Sequence, residues 1–191
     1  MKILFQSVLI ILFVSLSAQS YNQDEPKVED YRNLSMQFMG ELKSILQKEI
    51  KQNGIVNAVS VCSDTAQTLT QQFAKEHNIY IKRVSTKNRN PNNIPNDYEL
   101  SAIQKLEKLK SEGNLKKEIE FFEIVNSNGI KTVNYIKPIV TEGICLSCHG
   151  SENTISDDVK QILSKKYPKD KAVGYSIGDL RGIISISKEI K

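Results

Sequence analysis

Hydrophobic and polar positions along this chain follow different rhythms in different stretches, and each rhythm predicts a different kind of element. Ile3 to Leu16 form an apolar run interrupted by Gln6, Ser7 and Ser15, preceded by Lys2 and followed by small residues at Ser17, Ala18 and Ser20. That layout is a secretory signal peptide, which assigns residues 1–18 to export with cleavage near Ala18 or Ser20. The run is short against the roughly 20 residues a helix needs to span a bilayer, although an uncleaved N-terminal anchor stays open. Polar residues 19–29, with Pro26, read as a flexible lead-in, and 30–191 as a single domain.

From Asp30 to Gln52 the rhythm becomes helical. Tyr31, Leu34, Phe38, Leu42, Ile45, Leu46 and Ile50 recur at three- and four-residue steps, and Asn53-Gly54 supplies a stop. A second helix is expected over Ile55–Val61 and a third over Asp64–His77, with Leu69, Phe73 and Ala74 inward. Residues 85–97, dense in Asn and Pro, predict an ordered loop. Asp97 then caps a helix running to Ser111, with Ile103, Leu106 and Leu109 on one face.

The β signals come mostly later. Ile79–Val84 reads as a strand. Lys117–Val125 and Ile130–Val140 flank Ser127-Asn128-Gly129, a hairpin turn. A short helix follows near 156–166, and Gly182–Ser187 alternates Ile183, Ser185 and Ser187 against Ile184 and Ile186 as a last strand. Helices first and antiparallel strands after make the class α+β.

Composition narrows the function. Apolar residues are 39% and charged residues 25% of 191, the mixture of one globular domain with a real core. A net charge of +4 with Lys and Glu interleaved lacks the basic stripe of a nucleic-acid binder. After signal cleavage no span of a membrane is expected, and the mature protein belongs in the periplasm or another exported compartment.

The chemistry concentrates in Cys145-Leu146-Ser147-Cys148-His149. In an exported protein C-x-x-C-H attaches one covalent haem c. Two thiols three positions apart form thioethers with the vinyl groups on one porphyrin edge, and the next residue presents its imidazole to the iron. A thioredoxin-like disulfide pair would start a helix after a βαβ strand, a zinc site would need more ligands than one C-x-x-C, and a structural disulfide across two residues is strained. Gly150 lets the chain leave the porphyrin edge without a side chain in the way.

Cys62, in Ala58–Ser63, is then an odd thiol in an oxidising compartment, either buried and inert or given a task. The iron's second axial position has few candidates: Cys62, His77, Met36 and Met39. The methionines lie near a helical stripe, where core packing is commoner. His77 ends a helix, where a surface histidine held by the helix C-terminus is commoner. Arg83, Lys87 and Arg89, and separately Arg181, are candidates to pair with haem propionates, since guanidinium forks match carboxylates. The glycines around Arg181 suit a tight turn before the last strand better than a phosphate cradle.

At this point the sequence resembles the family of PAS-like, c-type haem domains long catalogued as a domain of unknown function. Members occur as free periplasmic proteins and as input domains of bacterial sensor kinases. The matching pieces are Ala58–Ser63, Arg83–Asp97 with Glu99, Lys137-Pro138 before the C-x-x-C-H segment, and Tyr167–Ser187. Tyr98 stands where that pattern suggests a larger aromatic. The resemblance implies a PAS-like fold, haem on Cys145 and Cys148, His149 as one axial ligand, and a cysteine at the position of Cys62 as the other.

Two functions follow as expectations. One is a redox or diatomic-gas sensor whose output lies in a separate signalling protein. The other is a small electron-transfer cytochrome with a redox partner. Haem-attachment machinery is a required partner in maturation. A peroxidase-like enzyme is a weaker reading, because only His77 is left for acid–base work.

Overall fold

Residues 25–190 are described in a computed structural model, and its longest element, α1 (Val28–His77), explains how the rest is arranged. The expected signal peptide and residues 19–24 of the lead-in lie outside the described residues. Gly54 alone leaves helical geometry in α1, at φ 80° and ψ 167°. In a straight helix Phe38 and Phe73 would be about 50 Å apart, yet their ring centroids are 5.2 Å apart. Gly54 therefore folds the element back on itself as two antiparallel arms.

The separate second and third helices expected around Ile55–Val61 and Asp64–His77 are a correction: they are one continuous arm. The residues read as a fresh helix start are used inside the helix. Ser63 Oγ donates to the Ser60 carbonyl and Thr65 Oγ1 to that of Val61, both at 2.7 Å, so neither hydroxyl caps a new helix. Asn78, in left-handed geometry at φ 49°, ends the arm.

Four antiparallel strands form one sheet in the order β1-β4-β3-β2: β1 (Tyr80–Val84), β2 (Phe121–Ser127), β3 (Ile130–Val140) and β4 (Leu180–Ile190). β2 and β3 join through Asn128-Gly129, both at positive φ (53° and 83°), the geometry of a two-residue hairpin turn. β2 begins four residues later than expected, and the Ile119 N–H bonds back to the Lys116 carbonyl at 3.3 Å, a turn rather than a ladder. β4 extends past both expected ends because β3 offers partners from Lys131 to Val140.

The sheet is covered on both faces. Ile184 and Ile186 of β4 pack with Val133 and Tyr135 against Tyr31, Phe38 and Phe73 of α1. Ile183 packs with Val84 and Ile136 against Ala102, Ile103 and Leu106 of α2 (Asp97–Ser111). Full burial of each such aromatic or aliphatic side chain stabilises the fold by about 1.5–3 kcal/mol. The cap of α2 is Asn96 rather than Asp97. Its side chain accepts from Glu99 N–H while Glu99 reaches back to the Asn96 N–H, a reciprocal capping box. Two smaller helices, α3 (Leu146–His149) and α4 (Asp157–Lys166), stand between β3 and β4, and α4 packs through Val159 and Leu163 onto Val59 of α1. The architecture is α+β, as expected. Among the described residues no helix is long and apolar enough to cross a membrane.

Candidate haem site

The C-x-x-C-H motif begins where β3 ends. Thr141 donates its N–H to the Asp179 carbonyl at 2.8 Å and accepts from Gly178 N–H at 2.9 Å, fixing the chain just before the motif to the approach to β4. A 3-10 turn over Gly143–Cys145 runs into the single helical turn of α3. Residues three apart on such a turn share a side, so Cys145 and Cys148 are presented together, both half-buried and free.

The segment before β4 clamps this turn. His149 Nδ1 lies 2.7 Å from the Ala172 carbonyl oxygen. A carbonyl only accepts, so Nδ1 carries the proton and the Nε2 lone pair is available to a metal. Tyr175 N–H donates to the His149 carbonyl at 2.9 Å and Gly174 N–H to that of Gly150 at 2.7 Å. Arg89 binds the underside: Nε pairs with Asp170 at 2.8 Å, and one terminal nitrogen donates to the Cys148 carbonyl at 2.5 Å. Gly150 has a different reason from the one expected. A Cβ there would meet Thr154 Oγ1 at 2.3 Å and the Leu146 carbonyl at 2.6 Å, so the glycine permits close packing of its own turn.

The motif opens onto a cavity of about 460 Å³ shared with both arms of α1, within the roughly 300–1,000 Å³ range of cofactor sites. Leu42, Leu46 and Ile50 of the first arm and Ile55 and Val59 of the second make aliphatic wall, and the second arm adds Cys62. Cys145, Cys148, His149, Arg83, Arg89 and Arg181 line the same space. Seven of the residues named from the sequence, Cys62, Arg83, Arg89, Cys145, Cys148, His149 and Arg181, therefore meet at one cavity, whereas Lys87 is turned to the Val173 carbonyl and does not line it.

Electrostatics separate the arginines. Arg89 is committed to Asp170 and to backbone carbonyls. Arg83 has Arg181, Tyr167 and Cys62 as its electrostatic neighbours and no carboxylate. Arg181 rests 5.3 Å over the Tyr175 ring, and its buried Nε has no hydrogen-bond partner. Burial, and for Arg83 the adjacent Arg181, lowers both guanidinium pKa values. Arg83 has no acid beside it, and Arg181 has only Asp170, which is already paired with Arg89, so an anionic ligand in the cavity would relieve both cations. Burial, then Arg181 and Arg89, hold the His149 imidazole well below its usual range, so it is neutral. Burial pushes the Cys62 and Cys148 thiols up.

The other ligand candidates divide by position. Met39 lines the cavity, while Met36 is 61% exposed, against the core role expected of that stripe. His77 stacks on Phe73 at 4.3 Å with its Nε2 buried and unpartnered, away from the cavity-lining residues and less exposed than a surface cap. Among the described residues no group of three or more His, Cys, Asp or Glu is gathered closely enough to hold a bare metal ion. Sequence reasoning missed Ala172, Asp170 and Tyr175 as supports. The Ala172 role belongs to a backbone atom and leaves no residue signal, although Asp170 and Tyr175 stood inside a matching piece.

A c-type haem fits these residues on chemical grounds. Paired thiols, a neutral imidazole with a free Nε2, an aliphatic pocket and two buried guanidiniums with no ion-pair partner of their own match vinyls, iron, macrocycle and propionates in turn.

No curated protein matches the chain. Among solved structures it is similar to the crystal structure of the cyanobacterial heme-protein Tll0287, at 20% identity and a TM-score of 0.62, covering 87% of this chain and 98% of that one. At that identity the likeness shows the fold. The family described as Tll0287-like matches residues 21–188, nearly the whole chain after the apolar start, and bears out the resemblance read from the motifs: the chain belongs to the Tll0287-like family.

Proposed function

We propose that this protein is an exported cytochrome carrying one covalent haem c, with His149 and Cys62 as axial ligands, and that it acts as a redox or diatomic-gas sensor. The observation that carries the reading is one cavity lined by Cys62 of α1 together with Cys145, Cys148 and His149 of the motif. The similar haem protein supports the cofactor class. The iron supplies one-electron chemistry and a coordination position for small ligands.

The chain's own groups define the rest. Cys145 and Cys148 tether the haem, and the Ala172 carbonyl holds the His149 ring with Nε2 forward. Arg83 and Arg181 neutralise the propionates, and the aliphatic walls from α1 exclude water. Cys62 as a thiolate stabilises the higher oxidation state and sets a low potential. As a neutral thiol Cys62 would be a weaker ligand than as a thiolate, and a haem held here would then offer that position to CO or NO. A peroxidase would need an acid–base side chain beside the iron, and His77 packs on Phe73 instead.

Titrating the ferrous protein with CO tests this. Binding with loss of the thiolate signature is the expected result. Unchanged coordination on reduction with no CO binding overturns the sensor and leaves a small electron-transfer cytochrome.

A further inference from the structure

The clamp on His149 is also a short path to the surface. Ala172, whose carbonyl accepts from the imidazole N–H, is buried, but the next residue, Val173, is 39% exposed. Four residues further on, Ile177 is 70% exposed in a hydrogen-bonded turn. Asp179 holds that turn by accepting from Ser176 N–H at 2.7 Å, and Lys110 pairs with Asp179 at 2.8 Å. A large aliphatic side chain held out on an ordered turn is a docking feature rather than an unfolded loop.

The surroundings are cationic. Lys169 and Lys171 are exposed and, among the described residues, take part in no ion pair, while the one carboxylate between them, Asp170, is spent on Arg89. Lys87, from the loop after β1, donates to the Val173 carbonyl at 2.6 Å and sits 4.4 Å over the Tyr175 ring. The backbone of Lys171 bonds to the Asn88 carbonyl at 3.2 Å, so the two loops form one surface.

We propose that this segment, exposed Val173 and Ile177 with Lys87 against the Val173 carbonyl and Lys169 and Lys171 just before it in the chain, is the docking surface for an acidic one-electron redox protein. The inference rests on the haem reading above and adds the partner's chemistry and place of contact. Apolar contacts at the centre give registry, and the lysines steer an acidic surface onto it. One electron leaves the partner's metal centre, which is oxidised, and one reduces the iron by way of the Ala172–His149 hydrogen bond. No covalent bond forms or breaks.

The test uses the haem-loaded protein and a reduced plant-type ferredoxin, a small acidic one-electron donor, as the probe. Stopped-flow reduction is followed across ionic strength for wild type, for Lys169→Glu with Lys171→Glu, for Ile177→Ser, and for the distant control Lys117→Glu with Lys131→Glu. Expected is a wild-type rate that falls with salt, a loss of about tenfold or more in the first variant at low salt, a smaller loss at Ile177, and a control near wild type. Reduction by dithionite should be equal in all four. A rate indifferent to salt and to the lysine pair, or a control that loses as much, overturns the docking face. Absence of covalent haem in the purified wild type instead overturns the cytochrome reading on which it rests.

Discussion

His149 and Ala172, 23 residues apart in sequence, are joined by a 2.7 Å contact between the imidazole Nδ1 and a backbone carbonyl oxygen. The contact converts a short, otherwise isolated helical turn into a fixed ligand, since it sets both the tautomer and the ring plane. Its position depends on Arg89 and Asp170, whose ion pair is largely buried, with side-chain exposures of 13% and 12%. Arg89→Ala leaves the Asp170 carboxylate buried without its cation and should cost about 3 kcal/mol in the haem-free protein, with less haem attached on export. Urea unfolding and the haem-to-protein absorbance ratio check both. A variant as stable as wild type would show that the clamp is held from elsewhere.

Gly150→Ala should destabilise by roughly 1–3 kcal/mol through forced overpacking. Removing one obstacle helps only partly: Thr154→Ala clears the hydroxyl at 2.3 Å, but the Leu146 carbonyl at 2.6 Å is backbone and stays. Denaturant midpoints for the single and double variants should therefore rank wild type, double, single. Full rescue in the double variant would contradict the packing argument.

The fold and site were legible where the signal was local. Asn128-Gly129 named its turn, and C-x-x-C-H named its chemistry, because both depend on residue types at fixed short spacing. The two-armed shape of α1 was not, because Phe38 and Phe73 meet only through the tertiary fold. Asn96 and Asp97 are both good caps, and the Asn96…Glu99 pair that decides between them was readable as a capping box. Along one helical stripe, Met39 reaches the cavity and Met36 faces solvent, a difference set by which way the arm packs. Arg89 looked like Arg83 in sequence and differs because Asp170, far along the chain, claims it.

Acid should unfold the haem-free protein in two steps. His149 has its pKa depressed by burial, then by Arg181 and Arg89. The unfolded chain therefore binds a proton more readily, and stability present above about pH 6.5 is lost as pH falls through that value. Glu120 is depressed by its hydrogen bonds from Arg32 and from Tyr135, and Asp179 chiefly by Lys110. Their contributions persist to lower pH and are lost below about pH 4. Thermal midpoints against pH should show both steps in wild type, only the lower in His149→Gln, and a shallower lower step in Arg32→Met. A His149→Gln curve parallel to wild type between pH 7 and 5 would contradict the buried neutral imidazole.

The most direct test of the account is the absorption spectrum of protein exported with haem-attachment machinery, recorded ferric and then ferrous, for wild type and Cys62→Ala, with Met39→Leu as the control. The expected result is a low-spin thiolate spectrum in the ferric wild type and in Met39→Leu that is lost in Cys62→Ala. Identical wild-type and Cys62→Ala spectra would contradict Cys62 as a ligand and, with it, the release of that thiolate on which sensing depends.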